Sequence, residues 1–169
     1  VMMYVSMIFS AAFIGYSIGV APVISYHNGA QNYKESKGLF RQSLIIIGIF
    51  GISMVLAAEI TALPLSKIFV GYDAELLSLT VSGYRIFAVS FIFMGFAIFS
   101  SGFFTALNDG LTSALISFLR TLVFQTAAVM LLPLLWGIDG VWISIVVAEA
   151  MAVVISVVFL GIRQKDYHY

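Results

Sequence analysis

The sequence predicts an all-α protein: a polytopic bundle of transmembrane helices. Three observations carry that reading. Hydrophobic residues make up 62% of the 169-residue chain and charged residues only 9%, where a soluble domain carries about 25% charged residues. Mean hydropathy is +1.08. The apolar residues also fall into five stretches, each long enough for the roughly 20 residues that a helix needs to cross about 30 Å of hydrocarbon. The same figures exclude a soluble globular domain and a disordered chain. A formal net charge of zero leaves no basic field for nucleic acid. The absence of cysteine removes disulfides, thiolate metal ligands and cysteine nucleophiles.

The first span, 1–25, holds no charge. It has no basic flank, and its apolar run is too long for a signal peptide. Gly15 and Gly19 are small residues at a spacing that suits close helix packing. His27-Asn28-Gly29-Ala30 reads as the turn that stops it. Lys34, Lys37 and Arg41 follow on one helical face, with Tyr33 and Phe40 on another. That pattern predicts a short amphipathic helix lying on the membrane surface.

The second span, 42–65, contains one charge, Glu59, and ends near Pro64. The third, 76–107, contains Arg85 and a crowd of phenylalanines that includes Phe96 and Phe103. The fourth, 111–135, contains Arg120, and the fifth, 140–162, contains Glu149. Five spans place the two ends on opposite sides. Because the first span opens at Val1, the chain reads as part of a larger membrane protein.

Orientation follows from lysine and arginine in the short connections. Lys34, Lys37, Arg41, Arg163 and Lys165 fall on one side and Lys67 alone on the other. The expectation is a multi-pass protein of the cell membrane, with 26–41 and the C-terminus cytoplasmic. Trp136 and Trp142 bracket the last external turn, where their amphipathic rings suit the headgroup layer.

Little in the sequence supports an enzyme. His27 and His168 have no ligand cluster around them, so no metal site is expected. Ser100-Ser101-Gly102 is not a nucleophile elbow, and no later span carries a histidine to activate a serine. No glycine-rich phosphate loop is present, and no cofactor is expected. The strongest chemical signal is the set of intramembrane charges Glu59, Arg85, Arg120 and Glu149. A charge at the helix centre costs about 2.5–3.5 kcal/mol on insertion scales, so such groups face protein or water. Glu59 lies near Pro64 and can reach the external interface. Spans four and five share a short turn and pack as antiparallel neighbours. Counted from that turn, Arg120 and Glu149 lie at depths of ~20 and ~14 Å at 1.5 Å per residue. The expectation is an Arg120–Glu149 ion pair holding the hairpin. Phe96, Phe103 and Arg85 are candidates for the wall of a substrate cleft, through apolar burial and cation–π attraction. The plainer reading is that the phenylalanines face lipid or fill the bundle.

Four segments in register carry a family resemblance. The run from Pro22 to Tyr33, with Tyr26-His27-Asn28-Gly29-Ala30 at its centre, resembles the helix end and basic loop of multidrug and toxic compound extrusion (MATE) transporters. Tyr84-Arg85-Ile86, followed by Gly102-Phe103-Phe104-Thr105-Ala106-Leu107, is similar to the family's tenth helix. Ser117-Phe118-Leu119-Arg120 is similar to its eleventh. Trp136-Gly137-Ile138-Asp139-Gly140-Val141-Trp142 with Ala148-Glu149 is similar to the turn into its twelfth.

The resemblance implies helices eight to twelve of a twelve-helix, two-lobed exporter. The chain would be most of the C-terminal lobe, with the N-terminal lobe absent. The implied function is secondary active efflux of organic cations and other drugs, in exchange for protons or sodium ions, by alternating access. The implied partners are the lipid bilayer, the missing N-terminal lobe and small-molecule drugs. Ile92 and Val146 stand where the family often carries prolines, so no proline kink is expected there. No acidic residue follows Glu75 in the tenth-helix segment, so no coupling residue transfers. Two other readings are a related flippase for a lipid-linked sugar, using Arg85 and Arg120 on the phosphates, and a non-transporting membrane scaffold.

Overall fold

The computed structural model describes residues 2–167 of the chain. The start of the first span at Val1, His168 and the last tail residue lie outside the described residues. Helix α1 is Met2–Gly29, α2 Tyr33–Val70, α3 Ala74–Ala88, α4 Ser90–Ala106 and α5 Gly110–Phe118. A π-helical segment, Leu119–Phe124, leads into α6, Gln125–Tyr167. The expected all-helical membrane bundle is what the chain forms.

Two boundaries differ from expectation. Helix α1 does not stop at Ser25 but runs on to Gly29. The chain turns two residues further on, where Gln31 takes φ 55° and the Asn32 amide donates to the His27 carbonyl at 2.9 Å. The separate surface helix over 33–41 is absent. It is the first part of α2, which continues unbroken for 38 residues. No proline interrupts it before Pro64, and Ser36 and Ser43 are buried against the bundle. Tyr16 donates its hydroxyl to Ser43 at 3.0 Å. At 1.5 Å per residue α2 is ~57 Å long, well beyond the hydrocarbon thickness. Its end bearing Lys34, Lys37 and Arg41 therefore projects from the apolar part of the bundle.

Span three is a bent pair, with a 40° break between α3 and α4. There is no proline here, as the sequence requires. The break comes instead from tightened turns at Val89: its amide donates to Ile86, and its carbonyl accepts from Ile92, both at 3.3 Å. These are three-residue rather than four-residue hydrogen bonds, the geometry of a 3₁₀ turn. Beyond the bend, the Ile92 backbone lies against α2. A Cβ at Gly51 would sit 3.3 Å from Ile92 Cα.

Helix α4 is the centre of the bundle, touching α1, α2, α5 and α6. Phe91, Phe99, Phe103 and Phe104 are buried, so the phenylalanine-rich span fills the core. Small residues make room for the rings. A Cβ at Gly95 would meet Phe13 Cε1 at 2.5 Å, so Phe13 occupies the space that glycine leaves.

The stretch Gly110–Tyr167 is 58 residues long but reverses at Gly137, where φ is 58° and ψ −133°. A side chain would strain that backbone; glycine does not. Gly140 then packs onto the backbone of Leu132 and Pro133. Among the described residues, three helical stretches are long and apolar enough to cross a membrane, and α3 with α4 makes a fourth. Trp136 is exposed, as a headgroup anchor would be. Trp142 is not: its indole covers Gly83 on α3, where a Cβ would lie 2.5 Å from Cε2.

At the opposite end from Gly137, the α4–α5 turn meets the end of α6. Asp109 caps α5, accepting from the Thr112 amide at 3.1 Å and its hydroxyl at 2.7 Å. Arg163 Nε lies 3.4 Å from the same carboxylate. Burial alone would raise the Asp109 pKa, but the two Thr112 bonds and the Arg163 charge outweigh it and hold the group below its ordinary value.

Candidate functional site

Arg120 sits in the π-helical segment, whose wider winding re-aims its side chains relative to a regular helix. Glu149 lies on the far side of the Gly137 turn, 8% exposed. The two meet as the spacing predicts. Arg120 Nε donates to Glu149 Oε2 at 2.9 Å and Oε1 at 3.1 Å, and Nη2 donates to Oε1 at 2.8 Å. This two-nitrogen clamp is the strong form of the arginine–carboxylate contact.

The pair forms one wall of a cavity of about 560 Å³ between α1, α4 and α6. Met2, Met3, Met7 and Met94 line much of the rest, with Ser6, Ser10 and Trp142. Methionine thioethers are flexible and polarisable, so this wall can adapt to ligands of different outline. The Trp142 indole N–H is buried against Gly83 and has no acceptor among the described residues. The cavity is thus apolar, with a few polar groups at one side, the composition of a small-molecule site.

The other candidates fall elsewhere. Glu59 and Arg85 pair with each other across α2 and α3 at 3.3 Å, both substantially exposed. Glu59 thus has a partner within the bundle, and Arg85 lines a separate, shallower hollow with Leu77 and Val81. Phe103 is 1% exposed, with its ring centroid 4.7 Å from that of Phe40 and 5.8 Å from Phe99. It belongs to the aromatic core and does not line the Arg120 cavity. Phe96 is half-buried against that core and is also absent from the cavity wall. The structure therefore brings together Arg120 and Glu149, and separately Glu59 and Arg85, but neither phenylalanine with either pair.

Two features went unread in the sequence. The first is the face of α1 that carries Met3 and Met7, four apart, beside Ser6 and Ser10, also four apart. The second is a chain of hydroxyls between α4 and α5. Ser101 Oγ lies 2.9 Å from Ser113 Oγ and 2.8 Å from Ser117 Oγ, and Thr105 Oγ1 lies 2.8 Å from Ser113 Oγ. The signal was available: residues 101 and 105, and 113 and 117, are each four apart, so each pair shares a helix face.

The fold is similar to solved membrane transporters. The Vibrio cholerae MATE transporter VcmN in its bent form superposes with a TM-score of 0.89 at 18% identity, over 98% of this chain and 38% of that one. An inward-facing multidrug resistance MATE family transporter of the MOP superfamily gives 0.89 at 18% identity, over 99% and 39%. An outward-facing one gives 0.88 at 19% identity, over 97% and 37%. The chain spans less than two-fifths of the length of each of these structures. No curated protein matches it. The family model MatE matches residues 1–131, most of the sequence, and the chain belongs to the MATE transporter family.

Proposed function

We propose that this chain is most of one lobe of a secondary active exporter that extrudes organic cations and other drugs in exchange for protons or sodium ions. The observation that carries the reading is the near-equal likeness to inward- and outward-facing transporters, with TM-scores of 0.89 and 0.88. A lobe that fits both states equally well is one that moves as a rigid body. Rigid lobes rocking about a central site produce alternating access.

In this reading the cavity bearing Arg120 and Glu149 faces the route of the substrate. Its methionines and Trp142 supply adaptable apolar contact, and the ion pair supplies the polar rim. The ion gradient drives the cycle, worth about 2.3 kcal/mol per charge per 100 mV. The flippase reading is weaker, because it needs free cations for phosphate. Arg120 and Arg85 are each held by a carboxylate. The basic end of the bundle fits an orientation with the C-terminus in the cytoplasm, as the positive-inside rule gives it.

The test is ethidium efflux from proteoliposomes holding the full-length protein, under an imposed proton or sodium gradient. Export that starts with one gradient and stops when an ionophore collapses it is the expected result. Export of neither ethidium nor other drugs under either gradient would overturn the proposal.

A further inference from the structure

We propose that the groove between the N-terminal end of α2 and the C-terminal end of α6 binds an anionic phospholipid from the leaflet on that side. The groove measures about 480 Å³. Phe40 and Leu44 form one wall and Val157 and Leu160 the other, with Lys37 and Arg41 on its margin. Lys37 and Arg41 are four residues apart, so one helix face carries both. Among the described residues neither makes an ion pair; Asp109 and Asp166, the carboxylates at this end of α6, are both engaged by Arg163.

Charge complementarity identifies the occupant. Two unneutralised cations beside an apolar slot match a phosphate headgroup followed by an acyl chain. A soluble phosphate would satisfy the cations but leave the two apolar walls unused. A zwitterionic lipid would fill the slot but carry its own ammonium to the cations. Basic pockets between helices near the membrane surface hold anionic headgroups by this arrangement. The floor also has room: a Cβ at Gly161 meets nothing within 4 Å.

The experiment is photo-crosslinking in nanodiscs that contain the full-length protein and a diazirine-bearing phosphatidylglycerol or phosphatidylcholine. Labelled peptides are mapped by mass spectrometry. Phosphatidylglycerol is expected to label peptides containing Phe40–Leu44 or Val157–Leu160 roughly thirty-fold more than phosphatidylcholine, the order that two basic residues confer. Lys37→Gln with Arg41→Gln should bring the two lipids level. Gly161→Phe leaves both cations in place and should abolish labelling by blocking the slot. Excess glycerol phosphate should not compete. Equal labelling of the wild type by both lipids, preferential labelling elsewhere, or loss of labelling with glycerol phosphate would each overturn the site. Because the wild-type map is decisive, a poorly folding variant does not rescue the proposal, and none of these results depends on drug export.

Discussion

Arg120 holds Glu149 through two nitrogens, at 2.9 Å from Nε and 2.8 Å from Nη2, across a turn that reverses the chain at Gly137. Removing one partner strands a buried charge and costs about 3–5 kcal/mol, whereas replacing both costs far less. Glu149→Gln and Arg120→Gln should each lower the yield of monodisperse protein in detergent. The double variant should recover part of it. Normal yield in both single variants would show that the pair does not hold the hairpin. If Glu149→Gln also folds but stops gradient-driven efflux, the carboxylate carries protons instead.

Phe103 and Phe96 separate a core role from a cleft role. Phe103 is sealed between Phe40, Phe99 and Phe104. Phe103→Ala should destabilise the fold by about 3–5 kcal/mol, seen as a large drop in thermal midpoint. Phe96 is only half-buried, and Phe96→Ala should cost clearly less. A Phe103→Ala variant with unchanged midpoint and reduced efflux of aromatic cations would return Phe103 to the cleft.

Asp109 gives the fold an acid-sensitive clamp. Its pKa is lowered on folding: burial opposes the shift, but the Thr112 bonds and Arg163 prevail. A lowered carboxylate stabilises the folded state above its unfolded pKa of 3.8, and that contribution disappears as pH falls through the lower folded value. The difference in thermal midpoint between wild type and Asp109→Asn should be constant from about pH 7 to pH 5 and close below about pH 4. A difference that persists undiminished in acid would show that the charge is not what clamps α5 to α6.

The loops test orientation. Lys34 and Tyr72 are both exposed, Lys34 in the first turn of α2 and Tyr72 in the connection that follows its last. Lys34→Cys should resist an impermeant thiol reagent applied to intact cells, and Tyr72→Cys should react. The reverse pattern would invert the topology.

How much of this was legible depended on whether the signal was local. Helices, the Gly137 turn and the Arg120–Glu149 register follow from periodicity, turn residues and residue counting, because a short turn fixes which depths face each other. The fusion of 33–41 into α2 was not legible. Its amphipathic pattern is the same whether the segment lies on a surface or projects as a helix end, and the burial of Ser36 and Ser43, with Tyr16 of α1 bonded to Ser43, decides it. The bend at Val89 was equally hidden, since it rests on tightened turns and the seating of Ile92 on Gly51 rather than on proline. The cavity needed three-dimensional proximity: Met3 and Glu149 are far apart in sequence, and nothing in either residue's neighbourhood announces the other.

The central claim, that this lobe presents its cavity alternately to the two sides of the membrane, has a direct test. Ser10 lines the cavity, and the chain has no native cysteine to confuse the readout. Ser10→Cys in the full-length protein, with any cysteine outside this chain replaced, is treated with an impermeant thiol reagent on one side of the membrane at a time. Labelling from both sides is expected, with the ratio of the two rates reversing when the ion gradient is reversed. Labelling from one side only, at a rate the gradient does not change, would contradict alternating access through this cavity.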